Sequence, residues 1–392
     1  MRVADVAIDA PVPITAERPL RVALFTGNYN YLREGANQAL NRLVAHLGRR
    51  GHQVRVYSPV TDTPAFEPEG TLVPVPSITL PVRTEFQLAV GIPKSIQREI
   101  ERFAPDVVHV ATPDILGTRA QTLAKRLGVP IVASLHTRFE AYLEHYGLAW
   151  LRPVADAHLR RFYRRADCVL APTSAIVEEM KQLRGNDHAF LWSRGVDRQL
   201  FNPSRRDSEW RRAQGWSDDD AVALFFGRLV VEKGTRLFAE VVAELQQSDK
   251  RVRALVVGAG PAEQQMRSIA RATFTGHLEG AELARAVASA NLMISPSTTE
   301  TFGNVLLEGM ASGLPVITAD APNTRSLFDD GRTGILCRGK DDYIRAARRL
   351  LESPEERQRI GEAARQASEA YSWDSASQAA EEAYLFTLAC RN

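Results

Sequence analysis

Short apolar runs alternate with amphipathic stretches along this chain, and the alternation ends and begins again near the middle. In the first series Arg21–Thr26, Val54–Tyr57, Val107–Val110, Ile131–Leu135, Cys168–Ala171 and Phe190–Trp192 read as strands. The second series contributes Val222–Phe226, Ala254–Val257, Thr273–Thr275, Leu292–Ser295, Val316–Thr318 and Ile335–Cys337. Continuous apolar runs of this kind suit parallel strands covered by helices on both faces. After Gly35, the residues Ala36, Ala39, Leu40, Leu43, Val44 and Leu47 recur at helical spacing, and Gly51 closes the helix. Two successive βα series predict an α/β protein of two doubly wound, Rossmann-like domains facing a cleft. A length of 392 residues also exceeds one ordinary domain. The expected division is a loose, Pro-rich leader over 1–19, a first domain over 20–194 and a second over 195–372. The linker falls within Gly195–Pro203, and a terminal helical segment over 373–392 can cross back to the first domain. Thr71–Pro93 carries Pro74, Pro76, Pro81 and Pro93 and reads as a long functional loop.

Apolar residues make up 44% of the chain and charged residues 24%, which fits packed globular cores. The net charge of +2 gives no overall electrostatic case for nucleic acid. Cys168, Cys337 and Cys390 lie far apart and suggest neither a metal site nor a disulfide framework, so a reducing cytoplasm is expected. No apolar run approaches the roughly 20 residues of a membrane span. One local feature leaves membrane contact open. The stretch His158–Arg165 combines Arg160, Arg161, Arg164 and Arg165 with Phe162 and Tyr163, and reads either as a solvated helix face or as a surface for anionic lipid.

Pro296–Ile317 is the densest stretch for chemistry. It sets Glu300 in a polar turn, then Phe302, Gly303 and Asn304, then an apolar run carrying Glu308. A helix beginning near Gly303 aims its free N–H groups and positive dipole end at whatever lies before the turn, which suits a phosphate. Glu300 stands beside that position, and Glu308 faces the same way as Asn304 one turn on. The competing reading is a capping box of Ser297 and Glu300 with Glu308 solvated. Gly303 argues against it, because glycine in a first turn costs about 1 kcal/mol relative to alanine.

Gly227–Gly234 follows the first strand of the second series and brings Arg228 and Lys233, two cations able to neutralise a departing diphosphate. Gly258-Ala259-Gly260-Pro261 is a second glycine turn after a strand, but Pro261 and Gln264 break the dinucleotide fingerprint. Gly35 can approach phosphates or merely start its helix. His136 ends a strand at the edge where α/β proteins bind ligands, and is balanced between a structural and a functional role. Asp218-Asp219-Asp220 precedes a strand, the wrong edge for a ligand, and reads as a solvated turn.

Taken together, these motifs resemble the retaining glycosyltransferases of family 4, with the two-domain GT-B fold. The resemblance runs from about Leu20 to the end of the chain. It rests on Glu300 and Glu308 as a Glu-x7-Glu pair, preceded in order by SRGVD, GRLVVEKG, GAGP and FTGHLEGAEL. Within the family, LHTRFEAYL, LWSRGVDRQLFNP and PSTTETFGNVLLEGM are most similar to sulfoquinovosyl-diacylglycerol synthases and bacterial glycolipid mannosyltransferases. The resemblance implies that Arg228 and Lys233 hold a donor diphosphate. It implies that Glu300 and the amides of Phe302, Gly303, Asn304 and Val305 hold the transferred sugar, and that Glu308 holds the ribose. His136 matches a histidine contacting the sugar, and the base meets backbone near His277 and Leu278. Gly35 and Gly260 approach the phosphates. The implied reaction moves a hexose from a nucleotide sugar, GDP-mannose ahead of UDP-glucose, to a lipid acceptor, with no metal or further cofactor. The implied location is cytoplasmic, peripheral at the inner membrane face. Two departures stand out: Glu34-Gly35 replaces the usual Gly-Gly or Asn-Gly, and Ala259 occupies a position where an acidic residue is common. A sugar-nucleotide epimerase, a dehydrogenase and a non-catalytic nucleotide-binding module remain as rivals.

Overall fold

The computed structural model describes residues 18–31, 35–79, 87–138 and 149–391. It forms two compact units. The first holds the chain to Thr137, then Pro153–Ser193 and the segment from Asp374 onward, and the second holds Arg194–Trp373 together with Arg138 and Ala149–Arg152.

The first unit is built on a parallel sheet of β1 (Arg21–Phe25), β2 (Gln53–Ser58), β3 (Thr71–Pro74), β6 (Val107–Val110), β7 (Ile131–Ser134), β8 (Cys168–Ala171) and β9 (Ala189–Leu191). Its order is β3-β2-β1-β6-β7-β8-β9. The central strands are buried along their whole length, as their largely apolar sequences require. The helix Gly35–Arg49 covers one face with Ala39, Leu40, Leu43, Val44 and Leu47. Of the expected loop Thr71–Pro93, only part is irregular among the described residues. Thr71–Pro74 pairs with β2 as the edge strand, and Ser77–Thr79 (β4) pairs antiparallel with Gln87–Ala89 (β5). The prolines obscured this in the sequence, yet an edge strand tolerates Pro74 because its outer side needs no N–H. Leu80–Phe86 lie outside the described residues.

The second unit carries β10 (Ala221–Phe226), β11 (Val252–Val257), β12 (Ala272–Gly276), β13 (Leu292–Ser295), β14 (Val316–Ala319) and β15 (Ile335–Cys337). All pairings are parallel, in the order β12-β11-β10-β13-β14-β15. Read by position along the sheet this is 3-2-1-4-5-6, the doubly wound order, with its switch point between β10 and β13.

The helix Trp373–Ala389 ends the chain, and from Asp374 it packs within the first unit. Tyr384 bonds to His109 on β6, and the Phe386 ring meets Phe190 on β9 at 4.8 Å. Glu381 is its anchor. This buried carboxylate accepts from His46 Nε2 at 2.8 Å and His52 Nε2 at 3.0 Å, with Arg50 at 3.3 Å. His52 Nδ1 in turn accepts the Leu20 N–H at 2.9 Å, which leads into β1. Burial opposes ionisation of Glu381, but the hydrogen bonds from His52 and His46 and the Arg50 charge outweigh it and hold its carboxyl below its ordinary value.

A carboxylate lowered on folding stabilises the protein above its unfolded value, and that stabilisation is lost as pH falls through the folded one. Glu381→Ala leaves two largely buried imidazole donors without their acceptor, so its unfolding free energy near neutral pH should drop by about 1–3 kcal/mol. Urea denaturation across an acid pH series should show the difference from wild type shrinking as pH falls below the ordinary glutamate value. A difference that stays constant down the series would mean that packing, not charge, holds this helix.

Candidate active site

Three loops meet at the carboxyl edge of the second sheet, at its switch point. The first leaves β10 as Gly227–Gly234, the second leaves β11 as Gly258–Ala262, and the third leaves β13 as Pro296–Gly303. Hydrogen bonds join the first two: Leu229 N–H donates to the Ala259 carbonyl at 3.0 Å, and Ala262 N–H to the Leu229 carbonyl at 2.8 Å. Gly258 makes that approach feasible. Its φ is +135°, and a Cβ there would lie 1.9 Å from the Gly227 carbonyl oxygen. Ser297 Oγ and Thr299 Oγ1 both donate to the Glu232 carbonyl, at 3.2 and 3.3 Å, and so tie the third loop to the first.

Ser297 is therefore not a helix cap, and the capping-box reading is rejected. The helix runs Asn304–Ala311, and its N-cap is Gly303 at φ +92°, which has no side chain to cap the first turn. A Cβ on Gly303 would sit 2.8 Å from Leu306 Cδ1, so glycine alone lets the chain enter this helix as it does. The uncapped N–H groups of the first turn and the dipole behind them favour an anion. Directly before the turn, Lys233 Nζ donates to Glu300 Oε1 in an ion pair that leaves both side chains partly exposed.

The other expected residues divide. Arg228 is exposed on the first loop, and Gly260 lies in the second. His277 and Leu278 follow β12, which the bond from Gly258 N–H to the Gly276 carbonyl (2.8 Å) ties to the second loop; His277 is exposed and bonds to Glu279 at 2.8 Å. Phe302 points into the core and meets Tyr371 edge-on, so it offers the site only its backbone. Asn304 and Val305 open the helix. Glu308, one turn on, is half-buried, and burial pushes its carboxyl up to about 8.

In the first unit Gly35 is the first residue of its helix, while Glu34 lies outside the described residues. His136 lies just past β7, almost buried, with Trp192 edge-on at 5.1 Å and Ser134 Oγ 2.8 Å from its Nε2. Sequence reasoning missed Asn28, just past β1 at the switch point between β1 and β6. Both of its amide atoms are buried and, among the described residues, lack a hydrogen-bond partner. Nothing in its immediate sequence announces this.

One reading needs correction. Asp220 is not solvated: it is buried, accepts from Ser217 N–H and pairs with Arg253, at the opposite sheet edge from the three loops. Among the described residues no group of three or more His, Cys, Asp or Glu is placed to hold a metal ion. The basic helix, Arg152–Arg165, is partly committed to the fold. Arg164 donates to the Leu183 carbonyl and Arg165 to Thr122 Oγ1, whereas Arg160 and Arg161 are exposed.

Because Glu308 keeps a proton in the folded state that the unfolded chain loses, stability should decline as pH rises from the ordinary 4.5 to about 8, then level off. Glu308→Gln should remove that decline in denaturant midpoints taken at about pH 5, 7 and 9. A variant whose midpoints follow wild type would show that Glu308 is ionised throughout.

Residues 33–200 match the family model for Glycosyltransferase Family 4, and residues 206–367 match that for Glycosyl transferases group 1. A sulfoquinovosyl transferase of Arabidopsis thaliana is 32% identical across 94% of this chain and 74% of its own length. A GDP-mannose-dependent alpha-mannosyltransferase of Mycolicibacterium smegmatis is 36% identical across 90% and 94%. An alpha-monoglucosyldiacylglycerol synthase of Acholeplasma laidlawii is 23% identical across 86% and 89%. Among solved structures, a sucrose-phosphate synthase of Thermosynechococcus elongatus superposes with a TM-score of 0.77 at 18% identity, covering 95% of this chain and all of that one. Two doubly wound units with these matches make a GT-B protein, and the chain belongs to glycosyltransferase family 4.

Proposed function

We propose that this protein moves a hexose from a nucleoside diphosphate sugar to a lipid acceptor, with retention at the anomeric carbon and without a metal. The observation that carries the reading is the Lys233–Glu300 pair set before an uncapped helix N-terminus at a sheet switch point. An anion finds N–H donors and a cation there, and a carboxylate able to accept sugar hydroxyl protons stands alongside. GDP-mannose is the favoured donor, supported by the GDP-mannose-dependent relative, with UDP-glucose second.

In this reading the donor's bond between anomeric carbon and phosphate oxygen breaks with its electron pair going to the diphosphate. The acceptor hydroxyl attacks from the same face and passes its proton to that phosphate oxygen. Lys233, Arg228 and the amides of Asn304 and Val305 stabilise the charge that develops on the leaving group, the role a metal plays elsewhere. Glu300 orients the sugar and forms no covalent bond. Glu308 receives the ribose, and His277 and Leu278 lie beside the base. The family resemblance gives His136 the role of a contact to the transferred sugar, and Gly35 that of a backbone approach to phosphate. An epimerase needs an acid–base pair at the sugar, and the Glu300–Lys233 couple is better suited to clamping charge.

The lipid acceptor is supported by the diacylglycerol-glycosylating relative and by exposed apolar and basic groups on the first unit. Ile78, Val90 and Val154 are each more than half exposed, and Arg160 and Arg161 are exposed on the helix. Such a surface suits a peripheral protein on anionic lipid. Among the described residues no helix is long and apolar enough to cross a membrane.

Purified protein should transfer labelled mannose from GDP-mannose, or failing that glucose from UDP-glucose, to diacylglycerol in anionic vesicles in excess EDTA. Interconversion of donor alone would point to an epimerase, and an absolute requirement for added Mg²⁺ or Mn²⁺ would refute the charge scheme. Lys233→Ala should lower kcat by about 100-fold or more. A rise in KM for donor alone would instead assign Lys233 to ground-state binding. On the membrane side, Arg160→Glu with Arg161→Glu should weaken sedimentation with anionic vesicles and leave nucleotide binding intact. Unchanged sedimentation would make this helix a solvated face.

A further inference from the structure

A row of hydrogen-bonded side chains runs through the first unit and ends on His136. Tyr384 OH lies 2.6 Å from His109 Nδ1, His109 Nε2 lies 2.8 Å from Ser134 Oγ, and Ser134 Oγ lies 2.8 Å from His136 Nε2. Tyr384, His109 and Ser134 are completely buried, and His136 is 9% exposed. Trp192 stands edge-on to both imidazoles, at 5.9 Å from His109 and 5.1 Å from His136, and closes the row from the side. The residues come from the terminal helix, from β6 and from β7 with the turn after it.

The direction of the protons follows from bookkeeping at the buried end. Burial holds the Tyr384 phenol neutral and pushes the His109 imidazole down to about 3, so His109 carries a single ring proton. Among the described residues, His109 Nδ1 is the phenol's hydrogen-bond partner. Were the His109 proton on Nδ1, the phenol O–H would be a buried donor with no acceptor, at a cost of about 1–3 kcal/mol. Tyr384 therefore donates to Nδ1, and the His109 proton sits on Nε2 and is given to Ser134 Oγ. The serine hydroxyl proton then has His136 Nε2 as its acceptor. A neutral imidazole that accepts at Nε2 carries its proton on Nδ1. A doubly protonated His136 would turn Nε2 into a donor and leave the buried serine proton unmet.

We propose that Tyr384, His109 and Ser134 are positioning residues that fix His136 as the neutral Nδ1–H imidazole, a hydrogen-bond donor rather than a general base. The proposal for the row itself needs only this geometry. Its use, donation to an oxygen of the sugar being transferred, rests on the function proposed above. A donor of fixed sense suits a sugar hydroxyl oxygen, which accepts the bond and holds the sugar in place, and a fixed tautomer spares the imidazole any reorganisation as the sugar is transferred. A ring whose proton sits on the wrong nitrogen can keep its geometry and still lose most of its catalytic value.

The chain has eight histidines, few enough for imidazole ¹⁵N spectroscopy of selectively labelled full-length protein, with His136→Gln assigning the signal. Wild type should show a protonated Nδ1 and an unprotonated, hydrogen-bonded Nε2 at His136. Ser134→Ala removes the donor to Nε2, and Tyr384→Phe removes the group that sets the direction. Each should move His136 toward a mixture of tautomers, while circular dichroism and nucleotide binding confirm that the variants are folded. Turnover should fall by at least about tenfold in Ser134→Ala, with KM for the donor nearly unchanged. A wild-type signal with the proton on Nε2 would overturn the proposal, as would a tautomer that ignores both substitutions. A shifted tautomer with unchanged turnover would uphold the row and instead overturn the reading of His136 as a sugar contact.

Discussion

At the carboxyl edge of the second sheet, two backbones pass closer than any side chain permits. Gly258 lies with its α-carbon against the Gly227 carbonyl, and the loops after β10 and β11 interlock only because no Cβ intervenes. From that contact the rest of the candidate site follows. The first loop is held where Glu232 can receive Ser297 and Thr299, and the third loop is thereby aligned so that Glu300 reaches Lys233. Gly303 then turns the chain into a helix whose N–H groups face the same spot. A doubly wound sheet guarantees a crevice at its switch point, and these glycines turn the crevice into a place of defined charge.

The charges in that place are arranged for exchange rather than for stability. Lys233 and Glu300 satisfy one another while leaving both groups partly open to solvent; in the function proposed above, a diphosphate takes the ammonium and sugar hydroxyls take the carboxylate. A pair that keeps contact with solvent contributes only modestly to folding, so its separation by a ligand costs correspondingly little. Glu308 differs. It is held back from water, and its raised carboxyl means that ligand hydroxyls would meet a group poised between acid and base near neutral pH. In the first unit the polar groups are internal: His136 stands at the end of a buried row, and the Asn28 side-chain amide has no partner among the described residues.

Much of this could be read along the chain, for identifiable reasons. The parallel strands announced themselves because burial on both faces leaves few polar residues in the run, and the third loop did so because Glu300, Gly303 and Glu308 lie within nine residues. Partners far apart in sequence left no such trace. His109 lies 25 residues from Ser134 and 275 from Tyr384, and an isolated histidine in an apolar strand looks like any satisfied core residue. Glu381 likewise gathers His46 and His52 across more than 300 residues. The edge strand Thr71–Pro74 was hidden because prolines usually mark loops, and their cost disappears only at an edge. Arg164 and Arg165 resembled their neighbours Arg160 and Arg161 until backbone carbonyl and hydroxyl partners set them apart.

The central claim is that the three loops of the second unit form a nucleoside diphosphate site. Hydrogen–deuterium exchange with and without saturating GDP or UDP tests it most directly, because protection reports where a ligand binds regardless of turnover. One of the two nucleotides should slow exchange in Gly227–Gly234 and in Phe302–Glu308, and leave the strands of the first unit unchanged. Protection absent from both segments with either nucleotide, or confined to the first unit, would contradict the account.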